Sequence, residues 1–374
     1  MSADSVYSLA SKAFPSYDNG TIIDLYNVLI AFETATHPAI FVNIIVSILG
    51  VATTSIHIYI LSRKSMLKSS VTSIMIGVGV CDFMAVLSSI VSNILYLLIE
   101  KNEKPDPPLP LPSFYAYWIA VVIYDLFRRF STWLSVLMAL IRWIVMKFGT
   151  RRTFRKVTMV SFGAYVVLGT VLAGLPISGL YYFRYDIVKV KDWVPWENCT
   201  GSPVIEKHTL YTLVQSTLYT VNDGIIGKIF QLVNGIVSKL LPCVLLPTLT
   251  IFLIIELQKA RKHQRILNSS NNNLTTTVTE KTTGLVVFMT VSSFIIELPG
   301  GIIRVLQFFY TDLGRLATSV GQILNAMFSL NSALHGFIFY LMSTQYQKSV
   351  SRVFRRKVSL PPRIIVAHSS LHLT

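Results

Sequence analysis

The chain has 374 residues, 52% of them hydrophobic and only 14% charged, with a mean hydropathy of +0.56. Soluble domains carry about a quarter charged residues, so this balance excludes a soluble globular protein and points to an integral membrane protein. The net charge of +15 does not mark a nucleic-acid binder, because the basic residues lie in short connections between apolar runs.

Apolar runs long enough to cross a bilayer as helices occupy 39–62, 70–99, 114–148, 157–183, 229–256, 284–310 and 317–342. They predict an all-α membrane protein, a seven-transmembrane helix bundle, with polar residues interrupting the fifth and seventh runs. Residues 1–38 form the expected amino-terminal segment. They hold no basic start followed by an apolar core, so the first span is expected to direct insertion. Lys and Arg set the orientation. Nineteen fall in the first, third and fifth connections and the tail, and nine on the other side. The amino terminus is therefore expected outside and residues 343–374 inside, in a multi-pass protein of the plasma membrane.

The sequons at Asn19 and Asn198 fall on the expected outer side and are candidate glycosylation sites, whereas those at Asn268 and Asn273 fall inside. The long outer connection 184–228 carries Trp193, Trp196 and Cys199, and reads either as a lid over a cavity or as a solvated loop. The inner connection 266–279 is rich in Asn and Thr and reads as mobile. The tail opens as STQYQKSVSRVFRR, with apolar and basic residues at helical spacing. That suits a short amphipathic helix lying on membrane lipid.

The third run carries Asp125, Arg128, Arg129 and Arg142. Each ionisable group at mid-membrane costs roughly 2.5–3.5 kcal/mol, so these four are expected to face a protein interior or a wet cavity. Asp125 can pair with Arg128 or Arg129 at helical spacing, and Arg142 lies about three to four turns below, toward the inner rim. In the sixth run, Glu297 stands before Pro299 and two glycines, a charge beside a hinge, within reach of Arg128 or Arg129. Arg304 lies two turns further out. Asp82 is a lone carboxylate in the second run, with Ser131 and Asn331 as expected partners, able to hold a sodium ion or to pass a proton. For both clusters the bland alternative is a structural knot of salt bridges and hydrogen bonds.

No nucleotide loop, metal pair with protease spacing or nucleophile with a base is present, and no cofactor is implied. Cys81, Cys199 and Cys243 match no zinc or redox spacing. A transporter or channel remains as a rival from another class, but seven unlike spans show no repeated halves.

Seven spans together with His57, LSRKSM (61–66), VCD (80–82), FRRFSTWLSVLMALIRW (127–143), LPCVLLPTLT (241–250), ELP (297–299), NSALH (331–335) and LMSTQY (341–346) resemble the rhodopsin-like G-protein-coupled receptors. More narrowly, the chain resembles the nematode serpentine receptor class W family, itself similar to FMRFamide-type neuropeptide receptors. The resemblance implies an extracellular ligand, a peptide or alternatively a small chemosensory molecule, and a heterotrimeric G protein inside. Residue by residue it implies that Arg142, Pro299, Asn331 and His335 serve activation and that Asp82, with Ser131 and Asn331, marks a sodium site. Ile141 replaces the acidic neighbour of Arg142, Ser332 and His335 replace a proline and a tyrosine, and Thr54 stands where an asparagine is usual. The family's bridge from the third span to Cys199 lacks its partner cysteine near Tyr117. Asp125, Arg128, Arg129, Glu297, Arg304, Trp193 and Trp196 are the expected ligand contacts. The arginines suit a carboxylate, and the two acids suit a cationic side chain unless they neutralise the arginines.

Overall fold

The computed structural model describes residues 3–101, 108–148, 152–193, 208–267, 272–342 and 344–355. A short helix, α1 (Ala3–Ala13), precedes α2 (Asn19–Leu61), α3 (Ser70–Lys101) and α4 (Leu111–Phe148). A 3₁₀ turn over Arg152–Thr158 leads into α5 (Val160–Tyr182). Next come strands β1 (Tyr185–Trp193) and β2 (His208–Gln215), then the single turn α6 (Thr217–Thr220). The fifth long helix is built as α7 (Ile225–Gly235), a π-turn (Ile236–Leu240) and α8 (Leu241–Leu267). It is followed by α9 (Asn272–Phe309), α10 (Gly314–Met342) and α11 (Thr344–Arg355).

Six segments are long and apolar enough to cross a membrane, in α2, α3, α4, α5, α7–α8 and α9. The more polar α10 packs against α2 and α9 and completes a bundle of seven. Large apolar side chains point outward along α2 (Phe41, Ile45, Ile48, Leu49) and α5 (Tyr165, Leu168, Leu172, Leu175). Exposed faces of this kind belong in lipid, where no water is present to penalise them. Inside, Ile74, Phe130, Leu134, Met138 and Phe339 join the lower halves of α3, α4 and α10.

Three features depart from the expectations. The boundary at 38/39 falls within an unbroken helix, because α2 starts at Asn19. That early turn is held by packing: Ile22 and Leu29 bury against Ala10 and Phe14 of the amino-terminal segment and against Leu313. In the long connection, the described residues Tyr185–Trp193 and His208–Gln215 form an antiparallel ribbon whose register pairs Tyr185 with Gln215 and Trp193 with His208. The strict alternation in Val188-Lys189-Val190-Lys191 is the strand signal that reveals it. On this ribbon Asp192 accepts from Lys189 at 2.7 Å, and that bond holds the exposed ammonium above its usual pKa. Finally, α9 already begins at Asn272, within the connection expected to be mobile.

Candidate functional site

At the end of the bundle that carries the hairpin, α3, α4, α9 and α10 enclose a cavity of about 580 Å³. Arg128, Arg184, Lys239, Arg304 and Arg315 line it, and Asp125 is the lining carboxylate among the described residues. The floor is an ion triad. Arg128 donates from Nε to Glu297 Oε1 at 2.8 Å, and Lys239 donates from Nζ to Oε2 at 2.7 Å. The three side chains are 8%, 5% and 12% exposed, so two buried cations share one buried carboxylate. Arg128 also donates to Asn325 Oδ1 at 2.7 Å, which in turn accepts from Tyr124 at 3.0 Å. α4, α9, α10 and the fifth long helix are thereby tied at one point.

Lys239 escaped the sequence reading. It stands inside the π-turn, which adds a residue to the regular winding, and from there it reaches Glu297. Glycines let the helices meet there: a Cβ on Gly301 would come within 2.8 Å of Leu240 Cδ2, and one on Gly235 within 3.0 Å of Arg304 Cβ. Gly301, read from sequence as a loosener of the hinge at Pro299, is instead a close-packing position. Pro299 itself lies within the continuous α9.

Two of the expected ligand contacts, Arg129 and Glu297, are not among the residues that line the cavity. Arg129 pairs with Asp125 and donates to Ser178 Oγ at 2.8 Å, so its guanidinium is committed to α5 behind the cavity. Glu297 lies beneath the cavity wall, with both oxygens taken by Arg128 and Lys239. The two acids thus neutralise cations of the protein itself. Arg304 lines the cavity and donates to Gln231 Oε1 at 2.9 Å. Trp193 ends β1 at the opposite end of the strand from Tyr185, the strand residue that lines the cavity. Trp196, Asn198 and Cys199 lie outside the described residues, and Asn19 is the first residue of α2.

A second polar station lies deeper. Ser131 donates to Asp82 Oδ1 at 2.5 Å, and His335 Nδ1 lies 2.9 Å from Asp82 Oδ2. Asn331, the other expected partner of Asp82, turns to His335 Nε2 at 3.2 Å instead. With an imidazole on the second carboxylate oxygen, Asp82, Ser131 and Asn331 do not form an oxygen cage, and the residues do not fit a sodium ion. Nearby, His57 Nδ1 meets Tyr346 of α11 at 3.1 Å. Arg142 has no carboxylate among the described residues: Nη2 reaches Met75 Sδ at 3.7 Å and Nη1 has no partner. The sequence reading also missed a chain of hydrogen bonds joining α2, α3 and α10. Asn43 donates to Ser89 at 3.1 Å and accepts from Ser329 at 2.7 Å. Small hydroxyls on apolar helices carry no charge signal, so nothing singled them out.

Cys81 and Cys243 are free and buried.

A family model described as "Serpentine type 7TM GPCR chemoreceptor Srw" matches residues 41–357, most of the chain. A curated relative, the "G-protein coupled receptor dmsr-1" of Caenorhabditis elegans, is 24% identical over 367 residues, covering 88% of this chain and 71% of the relative.

Proposed function

The chain belongs to the Srw family of serpentine seven-transmembrane G-protein-coupled receptors, and on that premise we propose that its ligand is an extracellular peptide that places an anionic group in the cavity between α3, α4, α9 and α10. In this reading the hairpin end faces outward and the basic connections face the G protein.

Uncompensated positive charge is the observation that carries it. Asp125 is matched by Arg129, Arg315 by Glu33 at 2.8 Å, and Glu297 serves both Arg128 and Lys239. Arg184 and Arg304 have no carboxylate partner among the described residues; Arg184 rests on the Tyr185 ring, 5.1 Å from its centroid. Arg128 keeps one Nη2 without a partner. Cations in a low-dielectric enclosure attract an anion far more strongly than they would in water, and a forked guanidinium fits a carboxylate. Arg142, without a local anion, is then the residue offered to the G protein, and Pro299 and the Asp82–His335 contact are parts of the bundle that rearrange. The ligand drives that change by binding the active arrangement more tightly than the resting one.

A small-molecule chemoreceptor is the second reading. The family description favours it, and about 580 Å³ lies inside the range of small-ligand sites. The deciding experiment applies tissue extract to cells that express the receptor and a G-protein reporter, before and after protease digestion. A response destroyed by digestion supports the peptide. A response that survives digestion replaces it with the small molecule. In either case Arg304→Gln is expected to weaken potency by about tenfold or more, the scale of one lost charge-assisted bond.

A further inference from the structure

A second cavity of about 410 Å³ adjoins the first, bounded by the base of the hairpin, α6, the start of α7 and the start of α10. Arg184, Tyr185, Gln307 and Gly314 line both cavities. The partition between them is therefore thin, and it is made at the point where the hairpin leaves the bundle. Ser216 donates its N–H to the Arg184 carbonyl at 3.0 Å, and Tyr185 pairs with Gln215. That pairing fixes Arg184 and Tyr185 as the wall.

At one residue, Gly314, the partition carries no side chain. Gly314, the first residue of α10, borders both spaces, and a Cβ built there meets nothing within 4 Å. Its backbone is right-handed helical, with φ −57° and ψ −45°, so no glycine conformation requires it. Gln307, which also lines both cavities, is 8% exposed and its Oε1 has no hydrogen-bond partner. A buried amide oxygen left unpaired costs about 1–3 kcal/mol and calls for a donor. Arg304, which lines the first cavity, donates to Gln231, which lines the second.

The two spaces differ in chemistry. Five cations face the first. The second is bordered mainly by neutral polar groups such as Gln215, Thr220 and Thr311, with Asp223, Lys228 and the shared Arg184 as its charged residues. We propose that the second cavity is an outer subsite for the same ligand: an extended chain whose anionic end lies in the first cavity, which passes Gly314 and Gln307, and whose uncharged polar portion fills the second. The inference rests on the peptide reading above. A compact small molecule occupies the first cavity alone and is indifferent to the passage.

The test uses the full-length receptor in reporter cells, with the activating fraction of tissue extract as the probe and surface amount measured in parallel. Gly314→Phe places a ring at this point of the partition, whereas Gly314→Ala places a methyl group where the space is open. Thr220→Trp and Thr311→Trp fill the second cavity from exposed positions, one on α6 and one beside the start of α10. The expected result is a rise of about tenfold or more in the concentration for half-maximal response in Gly314→Phe and in both Trp variants, with Gly314→Ala within about twofold of wild type. A responsive wild type together with unshifted Gly314→Phe, Thr220→Trp and Thr311→Trp overturns the outer subsite and leaves the receptor reading intact. A wild type silent to every fraction overturns the ligand reading, and the subsite with it. Should Gly314→Phe fail to reach the surface, the two Trp variants decide.

Discussion

At the hairpin end of the bundle one carboxylate, Glu297, holds two cations from two other helices, whereas toward the basic end Arg142 has, among the described residues, the sulfur of Met75 as its side-chain partner and no carboxylate. Asp82, between them, is satisfied by a hydroxyl and an imidazole. Both arginines are costly in a bilayer, but the cost is offset differently. Arg128 recovers it in place, through Glu297 and Asn325. Arg142 recovers none of it from a carboxylate in this arrangement. Paired charge fixes helices relative to one another; unpaired charge waits for something to arrive.

The sharpest way to break that contrast is to remove the shared carboxylate. Glu297→Ala strands Arg128 and Lys239 in a buried site and is expected to destabilise the fold by about 3–5 kcal/mol. Surface counts and the thermal midpoint of detergent-extracted receptor should both fall, and an unchanged midpoint would show that the triad does not hold the helices. Next, Arg142→Ala is expected to abolish G-protein activation while leaving surface amount intact, because the side chain has no anionic partner to lose. Signalling at the wild-type level would falsify its assignment to coupling. Asp82→Asn should cost about 1–3 kcal/mol, the scale of a buried hydrogen bond disrupted. Its effect should be non-additive with His335→Ala if the two act as a pair, a point that a four-member set of melting curves resolves. The smallest effect belongs to Glu33→Gln, which breaks an ion pair with Arg315 that is 65% exposed on the arginine side. Less than about 1 kcal/mol is expected there, and a larger drop in the midpoint would mean that the amino-terminal packing depends on it.

Much of the architecture was legible because membrane insertion writes itself into long apolar runs. That Asp125 and Glu297 would each meet Arg128 or Arg129 followed from helical spacing and from the cost of lone charges; which arginine goes to which acid, Arg129 to Asp125 and Arg128 to Glu297, is settled by the packing. Lys239 was invisible for a geometric reason. It stands inside a π-turn, and no residue pattern in IVSKL announces such a turn. Asn331 was misassigned because it stands one turn from His335, and a histidine long enough to reach Asp82 takes the position first. The hairpin was readable in hindsight from its alternating Val and Lys. The Asn43–Ser89–Ser329 chain was not, since hydroxyls and amides spread over three helices show no spacing within any one of them.

The π-turn at Ile236–Leu240 has a consequence for how this receptor tolerates length changes. Each residue of an α-helix advances the face by about 100°, so α7 and α8 are phased independently around one surplus residue. Deleting a single residue there would restore regular winding and swing Gln231 and Phe230 away from their neighbours, while α8 below kept its register. The turn is thus a seam: a one-residue deletion re-aims one half of the helix without disturbing the other.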